Sequence, residues 1–436
     1  RENQAPRDVL IFGGGYDMAY EDDSYVATSD NPAKGNAIYM IDAKTGRLLW
    51  STSGEKGVAR NTETPQMIHS ITGEITALDR DNDGLVDHIY AADLGGQVFR
   101  ADFENARPAR FNLLAVDSFS NKRVVRVLDA SSGIDSKYSY RFYERPVVSF
   151  YRSEGGTNNG NLFALINIIS GNRSAPLSTL RDNNTYANRV YGIIDTDITN
   201  TNLYDSNPTL TIENLNESNL VNLANTLGTN PNENKKKDVR ALMLGTSAIG
   251  TTGATAAKNG WYYPLTRFDG YNNVRYNKGV GDSVVINNLL YTTVYNPDKQ
   301  YSAANSCSAR IAGGSERQLY CLPYGICMED TSKSGTGGFI PAGQGIQELT
   351  LGAFNKDNTN LKVLIGTTTI IDRILAANRA EYGAGGKFTD SNGNKVDSNI
   401  KDISGVTPTG SDGSAPEYIF NERYTFQPKA WYERQQ

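Results

Sequence analysis

Apolar residues come in short runs along this chain, each cut off by Gly, Asn, Asp or Ser. "DVLIFGG", "AIYMID", "RLLWST", "EITALD", "HIYAAD", "QVFRAD", "RVVRVLD", "PVVSFY", "NLFALINI", "RVYGIID", "VRALMLGT", "SVVINN", "LLYTTVY", "RQLYCLP" and "KVLIGTT" have the length and the β-branched or aromatic content of strands. Helical periodicity is scarce. It predicts one helix over 216–227, where Leu220, Leu223 and Leu227 share a face, and another over 369–383. So many strands exceed what one sandwich needs, and a closed or radial all-β architecture disposes of their edges.

Three stretches break the strand pattern. Residues 198–237 are Asn-rich, 251–259 are small and polar, and 383–416 are rich in Gly, Ser and Asp. Long connections of this composition read as insertions or functional loops. Lys235, Lys236 and Lys237, inside the first, read as a solvated loop. A faint repeat runs through the rest. "GNAIYMIDAKTGRLLW" (35–50) and "DHIYAADLGGQVFRAD" (87–102) each have the form strand, Asp, Gly-containing turn, strand, and "YANRVYGIIDTDI" (186–198) begins the same way. The Asp bonds the turn backbone and the Gly takes positive φ. The expected fold is all-β: a modified, seven-bladed β-propeller with inserted loops and few short helices. It forms one domain over 1–436, with insertions near 198–237 and 383–416.

The densest chemistry is "DRDNDGLVD", residues 79–87. Oxygen ligands stand at its first, third, fifth and ninth positions, with Gly84 at the sixth. Alternation lets the chain wrap a hard cation. Asp79, Asp81, Asp83 and Asp87 supply carboxylates and Leu85 its backbone carbonyl. Position twelve, Glu in a true EF-hand, is Tyr90, and the flanks are strand-like. This is an EF-hand-like loop between two strands, and its oxygen-rich shell suits Ca²⁺ over Mg²⁺. An echo at 390–398, "DSNGNKVDS", has Lys395 in place of the glycine and reads as a plain loop.

Composition narrows the function classes. The chain has 436 residues, 38% of them hydrophobic, ample for a large core. A net charge of −5 argues against general nucleic-acid binding. No apolar run approaches the ~20 residues that span a bilayer. The opening "RENQAPRDVLIFGGG" carries no leader pattern and reads as the interior of a longer protein. Of Cys307, Cys321 and Cys327, the last two flank a Pro-Tyr-Gly turn and are the preferred disulfide, with Cys307 to Cys321 the alternative. Three thiols without a fourth ligand make a poor zinc site.

Catalytic signals are weak. "IFGGGYD" (11–17) follows a strand but has no phosphate-loop lysine, and reads as a strand end and turn. His69 has no nucleophile elbow nearby, and His88 follows Asp87 directly as a shield for the loop. Trp50, Trp261 and Trp431 read as core or seam residues.

The loop and its surroundings resemble the C-terminal domain of the PilC/PilY family, the type IV pilus biogenesis factors and tip adhesins. The blocks, in order, are "VLIFGGGYD", "GNAIYMIDAKTGRLLW", "ITALDRDNDGLVDHIYAADLGGQVFRAD", "ISGNR", "NRVYGIID", "NGWYYPL", "GDSVVINNLLYTTVYNP", "GGSERQLYCLP" and "KAWYERQQ". The resemblance implies a modified propeller with one Ca²⁺ on Asp79, Asp81, Asp83, Leu85 and Asp87. It implies an exported, non-enzymatic protein at the bacterial surface, pilus tip or outer membrane. Its partners would be pilus subunits or minor pilins and a host-cell receptor, and its roles pilus extension against retraction, twitching motility and host-cell adhesion. An Arg-Gly-Asp triplet is missing, so integrin binding of that type is not supported. The alternatives are a quinoprotein dehydrogenase propeller, which "MIDAKTGRLLW" resembles once, and a glycan-binding propeller.

Overall fold

The computed structural model describes residues 6–365 except 107–114, 117, 157, 179, 181–185, 206–207, 229–231, 247–255, 266–276, 287, 298–312, 328–338 and 354–360, and beyond them 388–389 and 395–396. The fold of the described residues is mostly β with few helices, consistent with the all-β expectation. Among the described residues the strands form four larger sheets and two strand pairs, in chain order. The first sheet is β1 (Val9–Gly13), β2 (Ala37–Asp42), β3 (Leu48–Ser53) and β4 (Asn61–Glu63). The second is β5 (Thr76–Leu78), β6 (His88–Ala92), β7 (Gln97–Glu104) and β8 (Ser120–Asp129). In the third, β9 (Val147–Arg152), β10 (Leu162–Ile169) and β11 (Arg189–Asp195) run on through β13 (Gly260–Pro264) to the short parallel β12 (Val221–Asn222). The fourth contains β14 (Lys278–Gly279), β15 (Val284–Ile286), β16 (Leu289–Asn296), β17 (Gly314–Cys321) and β18 (Phe339–Gln344). The pairs are β19 (Leu349–Ala353) with β20 (Leu361–Ile365), and β21 (Phe388–Thr389) with β22 (Lys395–Val396).

The sheets stack face to face, and side-chain alternation along each strand serves both faces. On β6, Ile89 and Ala91 join Phe99 and Phe103 against Ile38, Met40 and Trp50 of the first sheet. Tyr90 and Ala92 point the other way, into Ile166, Ile168, Tyr191 and Ile193 of the third. Phe163, Leu165, Val190 and Trp261 then meet Leu290, Val294 and Tyr320 of the fourth. Strands covered on both faces read as continuous apolar runs, which is why "HIYAA" and "LFALINII" lack polar alternation.

The repeated Asp does one job three times. Asp42 Oδ1 accepts from Lys44 and Thr45 N–H (3.0 and 2.9 Å). Asp93 Oδ1 accepts from Gly95 and Gln97 N–H, both at 2.9 Å. Asp195 Oδ1 accepts from Asp197 and Ile198 N–H (3.0 and 3.2 Å). Each turns the chain at the end of its strand.

Three expectations change. The 216–227 helix is broken: Glu217–Asn219 is a 3₁₀ turn, Val221–Asn222 is β12, and only Leu223–Leu227 is α-helical (α1). Asn216 and Asn222 each cap a new start, so the apolar face is kept while the helix restarts. "VRALMLGT" is no strand. It ends α2 (Glu233–Leu244), which Asn232 caps and Gly245 closes in the left-handed region. Val239 and Met243 stand one turn apart, a helical spacing that a short apolar run hides. The lysine run therefore lies on α2 rather than in a loop, and Lys236 is buried, 3.5 Å from Glu233. Cys307, Trp431, the 369–383 helix and all but 388–389 and 395–396 of the 383–416 stretch lie outside the described residues; of the 390–398 echo only Lys395 and Val396 are described.

Candidate metal centre

The acidic loop joins β5 to β6, whose antiparallel register pairs Thr76 with Tyr90 and Leu78 with His88. The Asp87 N–H donates to the Leu78 carbonyl at 2.9 Å, closing the ladder at the mouth of the loop. Inside it, carboxylates hold the backbone. Asp79 accepts from the N–H of Asp83 (3.1 Å) and of Gly84 (2.8 Å). Asp81 accepts from Asp83 N–H at 3.2 Å, and Asp83 from Leu85 N–H at 2.8 Å. Asn82 and Gly84 sit at φ 59° and 85°, the left-handed turns such wrapping needs.

This folding gathers ligand oxygens of Asp79, Asp81 and Asp87 within 4.8 Å of one another. Oxygens around one Ca²⁺ at 2.3–2.6 Å lie at most about 5 Å apart, so the donor set fits a hard cation in size and chemistry. Asp83 is not in that group; its carboxylate accepts from Leu85 N–H, one peptide before the Leu85 carbonyl expected as a ligand.

Asp79 and Asp81 are exposed, while Asp87 is buried against β7. Its Oδ2 accepts from Arg80 N–H (2.8 Å) and its Oδ1 from Asn105 Nδ2 (2.9 Å). Burial pushes the Asp87 carboxyl above its ordinary range, with Asp81 adding to the shift and the Arg80 N–H opposing it. Asn105 also donates to the Val86 carbonyl at 3.0 Å, so one amide holds two consecutive residues of the loop.

Behind the loop lies a polar network that motif reading did not find. Arg100 donates to Asp102 through Nε and Nη2 (2.8 and 3.1 Å) and to Asp195 through Nη1 (2.6 Å). The Tyr90 hydroxyl donates to Asp195 at 2.7 Å, and His88 Nδ1 lies 2.8 Å from Asp102 Oδ1. Every one of these side chains is buried. Burial pushes Asp102 upward, but Arg100 and His88 outweigh it and hold the carboxyl below its usual range. The trailing Arg-x-Asp after the loop was the available signal; its partner Asp195 comes from another sheet and leaves none.

The remaining candidates are structural. His69 is held by the Tyr20 hydroxyl at 2.9 Å, and burial lowers its pKa to about 4, with Arg141 adding to the effect. Gly13, in "IFGGGYD", packs so tightly that a Cβ would come 2.4 Å from the Ile71 carbonyl oxygen. Trp50 donates to Thr62 Oγ1 at 2.9 Å and Trp261 to the Pro323 carbonyl at 2.8 Å. Cys321 and Cys327 are disulfide-bonded, with Cα atoms 5.0 Å apart.

No protein-family model matches the chain. Over 115 residues it is 28% identical to a type IV pilus biogenesis factor PilY1 homolog from Xylella fastidiosa, a match covering 26% of this chain and 7% of that protein. The crystal structure of the Pseudomonas aeruginosa PilY1 C-terminal domain aligns with a TM-score of 0.47 and 16% identity, over 82% of this chain and 69% of that one.

Proposed function

We propose that this chain, related to the PilY1 C-terminal domain of type IV pilus biogenesis factors, is a calcium-binding, non-enzymatic module displayed on the bacterial surface. The observation that carries the reading is the convergence of Asp79, Asp81 and Asp87 on a strand-to-strand loop. Asp83 and the Leu85 carbonyl complete the proposed shell. The ion supplies positive charge that offsets the mutual repulsion of the acids. The chain's own residues do the rest: Arg80 N–H and Asn105 orient Asp87, and the β5–β6 ladder fixes the ends of the loop.

Sheets stacked in chain order support an arc of a β-propeller, proposed as seven blades. The sequence similarity supports a role in pilus biogenesis or adhesion, with pilus subunits or minor pilins as partners and extension against retraction, twitching motility and host-cell attachment as outcomes. Calorimetric titration of the chain with CaCl₂ tests the core of this reading. Binding heat in the natural protein that disappears in Asp87→Ala supports it; no binding heat in the natural protein refutes it.

A further inference from the structure

The acidic loop is tied to a distant stretch of chain, residues 200–205, and Arg80 makes the tie from both ends. Its backbone N–H donates to Asp87 Oδ2 at 2.8 Å. Its guanidinium donates through Nη2 to the Asn200 carbonyl at 2.8 Å and lies 5.4 Å from the ring centroid of Tyr204. Tyr204 lines the same cleft as Asp81, Asp83 and Asp87, and its ring stacks on His88 at 6.1 Å between centroids. Arg123 repeats the arrangement farther along, donating to Asp102 at 3.2 Å and to the Asp205 carbonyl at 3.4 Å. Both ends of the stretch thus hang from arginines rooted in the site or in the network behind it. Leu203 anchors its middle in the interior, while Asn200, Thr201, Asn202 and Asp205 face solvent.

We propose that residues 200–205 form a strap that reads the charge state of the acidic loop, seated when Asp79, Asp81 and Asp87 are neutralised and released when they are bare. The inference rests on the calcium reading of that loop. Arg80 stands between Asp79 and Asp81 in sequence, so its guanidinium is the cation tethered closest to the cluster. With Ca²⁺ on the acids, the guanidinium is left to the Asn200 carbonyl and the Tyr204 ring. With the acids bare, attraction to several carboxylates at once outweighs one bond to a carbonyl and one ring contact. The guanidinium turns inward and the strap loses its hold at Asn200 and Tyr204, while Arg123 and Leu203 keep the far end tethered. Calcium and Arg80 are alternative counter-charges for one cluster, and the strap presents the outcome on the surface.

Hydrogen exchange of the whole chain, with CaCl₂ and with chelator, tests this beside calorimetry on the same samples. The Leu203 and Asp205 amides, bonded within the strap to the carbonyls of Asn200 and Asn202 at 3.2 and 3.1 Å, are the probes. Calcium is expected to slow their exchange about tenfold, within the usual range of coupling between sites. Arg80→Ala keeps the backbone N–H that holds Asp87 and removes only the guanidinium, so it is expected to bind calcium and lose the slowing; Asp87→Ala is expected to lose both. Calcium binding without slowing in the natural protein, or slowing retained in Arg80→Ala, overturns the strap and leaves the metal site standing. No binding heat in the natural protein overturns the metal site, and the strap with it.

Discussion

Arg100 and Asp195, ninety-five positions apart, meet at 2.6 Å in a place closed to solvent. Arg100 comes from the strand behind the acidic loop and Asp195 from the end of β11, so the bond joins the second and third sheets. Arg100 also holds Asp102, and its removal takes the guanidinium from two buried carboxylates at once. Arg100→Met is expected to destabilise the fold by about 3–5 kcal/mol, the range for breaking a buried pair from one side. Urea unfolding measures it, and a loss under about 1 kcal/mol would show that Tyr90, His88 and Arg123 carry the network without it.

Asp87 is the most constrained acid of the loop, and its replacement should separate metal binding from folding. A ligand selective for the native state stabilises by mass action, about 2.7 kcal/mol at a hundredfold excess over its dissociation constant. The natural protein should therefore melt higher with CaCl₂ than with chelator. Asp87→Ala should melt at the same temperature in both. A calcium shift that survives in Asp87→Ala would move the site elsewhere.

Asp93 gives the fold a pH dependence of known sign. Burial pushes its carboxyl up to about 7, against hydrogen bonds from Gln97 and Gly95 that lower it. Its unfolded value is near the ordinary ~3.9. A raised folded value means that its contribution is fully present below about pH 4 and is lost as pH rises through about 7. Asp93→Asn removes this titration, so the stability of the natural protein minus that of the variant should shrink from pH 5 to pH 8. The slope of about 1.4 kcal/mol per pH unit acts only between pH 5 and the folded value of about 7, which bounds the change at about 3 kcal/mol. A difference that grows with pH would reverse the assignment.

The disulfide between Cys321 and Cys327 closes a loop with a sequence separation of 6. Chain entropy assigns so short a closure about 2 kcal/mol. The double replacement Cys321→Ser with Cys327→Ser should cost that much in urea unfolding. It should also alter Trp261 emission, because the indole bonds to the Pro323 carbonyl inside the loop that the disulfide closes. A double variant as stable as the natural chain would show that the turn holds itself.

Strands and the acidic loop could be read in the sequence because both are local. Runs such as "HIYAA" need only their own residues to announce burial, and "DRDNDGLVD" carries its spacing within nine positions. Helix bounds were harder to read. Asn216 and Asn222 look like loop formers until their caps are seen, and Val239 with Met243 suits a strand run as well as a helix turn. The network behind the loop was illegible for a different reason. Arg100 finds Asp195, and Arg80 finds Asn200, through sheet stacking that no window of sequence contains.

Gly192 and Trp261 give the last test, one of packing. They face each other across β11 and β13, and the indole lies over the glycine. A Cβ at residue 192 would come 2.4 Å from Trp261 Cε2. The ring has little room to retreat, because Gly325 also packs against it, where an added Cβ would come 2.7 Å from the indole, and Nε1 is held by the Pro323 carbonyl. Aromatic cover of a strand glycine stabilises a sheet only while the glycine stays bare. Gly192→Ala is therefore expected to cost about 1–3 kcal/mol as overpacking, with the Trp261 emission shifted. Adding Trp261→Leu to the same chain should recover part of that loss in urea unfolding, since the clash and its cause are removed together. If the double variant is instead destabilised by the full sum of the two single changes, the glycine is required by backbone geometry and not by the indole.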